Sequence, residues 1–77
     1  MPLFFFDVFD GEELWTDTEG TEHEDLAAAR LEAVDTIASM SRETFPLSGA
    51  GSLSIDIRTE DGRAVERVTV TLVFEAL

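Results

Sequence analysis

Seventy-seven residues of 8.5 kDa make one domain at most, and the 44% apolar fraction is enough for a small core. With no cysteine, the chain has no disulfide, no thiolate zinc site and no thiol catalysis. Seventeen acids against five arginines set a net charge of -12, which repels phosphate and argues against nucleic acid and anionic membranes as partners. No apolar run reaches the roughly 18 residues of a membrane span. The opening residues up to Asp7 lack the basic leader of a secretory signal, so a cytoplasmic location is expected.

The first predicted element is a strand over 3–9, closed by a turn at Asp10-Gly11. Alternation puts Phe4, Phe6 and Val8 on one face, uniformly apolar and therefore the core side. Leu3, Phe5, Asp7 and Phe9 fall on the other. Residues 13–17 then read as a short returning strand in which Trp15 faces opposite to Leu14 and Thr16, with a turn at Asp17-Thr18-Glu19-Gly20.

A helical period runs over 26–45. Asp25 is its expected N-cap, and Leu26, Ala29, Ala33, Ile37 and Met40 form its apolar face. The small Ala29 and Ala33 would let the helix approach a sheet closely. Pro46 is expected to end the helix, and Ser48-Gly49-Ala50-Gly51-Ser52 to connect it onward. A strand over 53–59 alternates Leu53, Ile55 and Ile57 against polar residues, and Asp61-Gly62 turns the chain into a last strand over 64–75. In that strand Val68, Val70, Leu72 and Phe74 share one side, and Thr69, Thr71 and Val73 the other.

The fold class that follows is α+β: a two-layer ββαββ domain over 1–77, with a four-stranded, mainly antiparallel sheet and one helix packed on one face. Strand orders 2-1-3-4 and 2-1-4-3 both fit. A single helix leaves the second sheet face bare, and that face is predicted to carry Leu3, Phe5, Phe9, Trp15 and Val73. Burying rings of this size is worth about 1.5–3 kcal/mol each. A homodimer, or contact with another protein through this face, is therefore the leading expectation.

Chemistry finds less support. His23 stands among Glu19, Glu22, Glu24 and Asp25, but one imidazole without a second makes a poor metal site, and no calcium-loop pattern occurs. Carboxylate pairs such as Asp10 with Glu12, or Asp56 with Glu66, need a cleft that one helix on a small sheet hardly provides. Gly49-Ala50-Gly51 lacks a third glycine and precedes a strand. No catalytic residue, cofactor or metal is expected.

The acidity itself is uneven. Residues 1–25 hold nine acids and no base, whereas 26–77 hold eight acids against five arginines, a balance of -3. A solvated acidic surface explains this, and the alternative is an acidic regulatory or antitoxin-like inhibitor that binds a basic protein through residues 7–25.

Phe4-Phe5-Phe6-Asp7 with Asp10-Gly11, then Asp17-Thr18-Glu19-Gly20-Thr21-Glu22, Asp25-Leu26, Ala28-Ala29-Arg30 and Glu32-Ala33 together resemble a domain of unknown function. It occurs in short proteins of alphaproteobacteria, mostly rhizobia. Leu53-x-Ile55-x-Ile57 and Asp61-Gly62-Arg63 continue the similarity across nearly the whole chain. The resemblance implies no catalytic or ligand residue. Phe9 stands where such proteins usually carry a polar residue, and the last strand is longer than usual through 66–71, so the exposed face or strand edge is expected to be stickier here.

Overall fold

The computed structural model describes residues 1–48 and 51–77, with side chains outside 45–50. Its elements are β1 (Leu3–Phe9), β2 (Leu14–Trp15), β3 (Thr21–Glu22), α1 (Leu26–Ser48), β4 (Gly51–Thr59) and β5 (Ala64–Leu72). One antiparallel sheet runs β2-β1-β4-β5, and β3 also pairs with β1. The α+β class holds, with the helix on one side of the sheet. Between the two expected orders, the sheet takes the one in which β1 lies beside β4, joining both hairpins within one chain.

The core is where alternation and helical period meet. Phe4, Leu53, Ile55 and Ile57 from the sheet are buried against Ala29, Ala33 and Ile37 of the helix, with Phe6, Val8, Leu26, Met40, Val68, Val70 and Leu72 packed around them. The two alanines have no exposed surface, so the helix backbone rests directly over the sheet. Asp25 caps α1, its Oδ1 accepting the Ala28 N–H at 2.9 Å. Arg30 then reaches Glu66 and fixes that side of the helix over β5.

Four boundaries differ from the sequence reading. The helix continues past Pro46 to Ser48. A proline so near the C-terminus forfeits the bond from position 46 to the Arg42 carbonyl and still allows the final turn. The expected connector is correspondingly reduced: Ser48 ends α1, Gly51 and Ser52 begin β4, and 49–50 lie outside the described residues. The last strand stops at Leu72, not 75: Leu72 pairs with Gly51, the first residue of β4, and among the described residues no rung lies beyond that pair.

The second strand is two residues long instead of five, and an unexpected β3 follows it, making the sheet five-stranded. Asp17 is the cause. Its N–H donates to Asp7 Oδ1 at 2.9 Å, and its Oδ2 accepts the Phe6 N–H at 3.1 Å, so a carboxylate replaces the backbone partner midway along β1. Asp17 Oδ1 also accepts the N–H groups of Glu19 and Gly20, both at 3.1 Å, which turns the chain back to β1 as β3. Gly20 allows the turn with φ of +73°, and it lies so close that a Cβ there would come within 3.0 Å of Leu3 Cγ and Phe5 Cε1.

Candidate interaction surface

The sheet face away from the helix is built from alternate residues of three strands. Phe5, Asp7 and Phe9 of β1 stand opposite Arg58, Asp56 and Ser54 of β4, and Asp56, Ser54 and Ser52 stand opposite Arg67, Thr69 and Thr71 of β5. Facing residues of an antiparallel pair share one side of the sheet, and here they bond across it. Arg58 Nε donates to Asp7 Oδ2 at 3.0 Å, and its Nη2 donates to the Asp17 carbonyl at 2.9 Å. Arg67 donates to both oxygens of Asp56, at 2.6 and 3.0 Å. Hydroxyl pairs at 3.1 Å join Ser54 to Thr69 and Ser52 to Thr71. The middle of the face is thus a polar ladder with its partners in place.

Apolar residues keep to the margins, and the register divides the expected set of five. Leu3 and Phe5 are half-buried: Gly20 lies against both, and the Arg58 guanidinium carbon sits 4.6 Å from the centre of the Phe5 ring. Phe9 remains 45% exposed on this face. Trp15 does not join it. It pairs with Val8, whose side is the core side, so its half-exposed indole borders the helix layer. Leu14, opposite Phe9 and 62% exposed, takes the place expected for Trp15. Val73 lies just beyond β5, two strands from Phe9 and about 13 Å further along at roughly 3.3 Å per residue. A single continuous aromatic patch is therefore absent. Phe9 and Leu14 instead border a hollow of about 390 Å³ floored by Asp7, Ser54, Asp56 and Arg67.

The titratable groups in this hollow are already engaged. Hydrogen bonding from Arg67 outweighs partial burial and holds the Asp56 carboxyl below its ordinary range. Asp56 and Glu66, a conceivable acid and base, lie on opposite faces, and Glu66 is held low by Arg30 on the helix side. Asp10 and Glu12 do meet, but through the backbone: Asp10 Oδ1 accepts the N–H groups of Glu12 and Glu13, which hold its carboxyl low and tie the turn. The His23 ring packs edge-on to Phe6 at 5.7 Å and tilted to Phe4 at 6.2 Å, with Thr21 Oγ1 3.1 Å from Nε2. Among the described residues no three His, Asp or Glu side chains gather as metal ligands.

The nine acids of the first third divide by length. All four aspartates build structure: Asp7 pairs with Arg58, Asp10 ties a turn, Asp17 plugs β1 and Asp25 caps α1. The five glutamates, Glu12, Glu13, Glu19, Glu22 and Glu24, are all exposed and lie in or beside β2 and β3. Sequence reasoning missed this division, although a short side chain that reaches its own neighbouring N–H groups is its signal.

The opposite edge is different. The Phe6 N–H goes to Asp17, away from β4, so the alternate residues Phe5, Asp7 and Phe9 turn theirs toward β4. Carried across the paired registers, Val68 and Val70 face β4 with their N–H and C=O groups, while Arg67, Thr69 and Thr71 point theirs outward. Among the described residues nothing pairs with this edge.

No helix of the described residues is long and apolar enough to cross a membrane. A family model for a domain of unknown function, DUF6894, matches residues 3–71, and the chain belongs to that family. Neither curated proteins nor solved structures give a match.

Proposed function

For a DUF6894 member built this way, we propose a small, non-enzymatic, cytoplasmic module whose work is protein contact, with self-association foremost. One observation carries the reading: a single helix covers one side of the sheet, while Phe9, Leu14, Trp15, Val73 and Phe74 all stand exposed on or beside it. Of these, Phe9 and Leu14 stand opposite each other beside one hollow, and exposed apolar residues grouped in this way mark contact sites. The polar groups nearby are ion-paired or bonded to each other, an arrangement suited to recognition and not to proton transfer. Light scattering across micromolar concentrations is expected to give twice the chain mass. A strict monomer throughout that range would remove self-association from the reading.

The five free glutamates favour a second reading, an acidic inhibitor that engages a basic protein through residues 12–24. Such capture would weaken steeply as salt rises, because it rests on exposed charge. A partner held equally at low and high salt would exclude it.

A further inference from the structure

We infer that two copies join by antiparallel pairing of β5 with β5, centred on Thr69, to make one sheet running through both. This rests on the self-association reading and specifies where the copies meet. Three observations select this edge. The first is the row of unpaired N–H and C=O groups at Arg67, Thr69 and Thr71, on a strand of nine residues without proline. Long, regular, open edges of this kind are what a second strand adds to.

The second is charge. At -12 per chain, two copies repel unless they approach where acids are neutralised. Five unpaired glutamates lie along the β2–β3 edge, whose strands are two residues each. On β5, Glu66 is paired with Arg30, and Asp56 behind it with Arg67. The third is register. The irregularity between Ile57 and Arg58 disturbs the start of β5, leaving Glu66–Leu72 as its regular part, and Thr69 is the midpoint of that stretch. A two-fold axis at Thr69 sets Val68 against Val70, Arg67 against Thr71 and Glu66 against Leu72. No like charges face one another, and about six interchain backbone bonds form. Val34, 45% exposed, lies one turn beyond Arg30 on the same side of α1. The sheet face offers less, because its centre is a closed polar ladder.

The axis makes Thr69 its own neighbour, and that supplies the test. Thr69→Glu and Thr69→Lys each place like charges together and are expected to weaken the dimer about tenfold or more, whereas mixing the two variants restores it as a heterodimer. Sedimentation of each variant, of the mixture and of a Phe9→Ser/Leu14→Ser variant reads this out. Restoration only in the mixture supports the pairing. A dimer indifferent to Thr69 but lost on changing Phe9 and Leu14 overturns it while self-association stands; a wild-type monomer at every concentration ends both. Amide exchange needs no variant. The N–H groups of Arg67, Thr69 and Thr71 are expected to gain protection as protein concentration rises, with Val68 and Val70 protected throughout. Rapid exchange of the first three in a dimer refutes the edge, including the case in which another protein's strand occupies it.

Discussion

Replacing Asp17 by alanine tests the idea that one carboxylate substitutes for a missing stretch of strand. The change strips an acceptor from three backbone N–H groups, of Phe6, Glu19 and Gly20, each at 3.1 Å. Water can serve Glu19 and Gly20 in the loop. Phe6 lies in the part-buried middle of β1, where an unpaired donor costs about 1–3 kcal/mol, so the total comes to roughly 2–4 kcal/mol. For 77 residues the whole stability is expected to be only about 4–12 kcal/mol. Asp17→Asn should fall between, since it keeps one oxygen where the wild type uses two. Urea unfolding at fixed protein concentration measures both, and the slope m should not change. Acid supplies the control. Burial raises the Asp17 carboxyl, but the N–H groups of Gly20, Phe6 and Glu19, with the charge of Arg58, together hold it low. A depressed folded value means the stabilisation is full above the ordinary carboxylate value near 3.9 and is lost as pH falls from there through the lower folded value. The gap between wild type and Asp17→Ala should thus be constant from about pH 7 to 5 and narrow below about 4. A loss under about 0.5 kcal/mol, or a gap unchanged down to pH 2, would refute the reasoning.

Gly20→Ala is expected to lower the melting temperature more than Gly62→Ala. Both positions have positive φ, but only at Gly20 would a Cβ meet Leu3, Phe5 and the Phe4 carbonyl, at 3.0–3.1 Å; equal losses would show that close approach contributes nothing. Ala33→Leu should cost about 1–3 kcal/mol in the fully buried contact between helix and sheet, while Ala27→Leu on the exposed side should cost little. Similar values for the two would mean that α1 does not need its small residues.

What the sequence conveys well is whatever local chemistry decides. Asp25 caps the helix, Ala29, Ala33 and Ile37 meet Leu53, Ile55 and Ile57, and Gly11 and Gly62 take the positive φ of their turns, as periodicity and turn residues imply. Asp17 escapes such reasoning because its decisive bonds, to Phe6 and Asp7, link residues ten and eleven apart along the chain. The facing of Trp15 is hidden from the sequence for a related reason. A two-residue strand has no alternation to read, and its facing depends on the turn that sets Phe9 against Leu14 and Val8 against Trp15. The candidate surface suffers accordingly, since Phe9 was legible as outward but its true neighbour, Leu14, was not.

The two edges of this sheet also make opposite demands on salt, and that separates the two functional readings. The β2–β3 edge has short strands, a carboxylate bonded into the gap between them and a run of glutamates, all devices that resist pairing with another strand. A basic protein drawn to it would be released by screening. The β5 edge has its acids neutralised and its backbone open, while the rest of each chain keeps two copies apart through their like net charge. Screening removes that repulsion and leaves the interchain backbone bonds intact, so the dimer should tighten between about 20 and 300 mM salt, across which the Debye length falls from about 20 Å to about 6 Å. A dimer that loosened with salt would place the glutamates inside the contact and move the interface to the other edge.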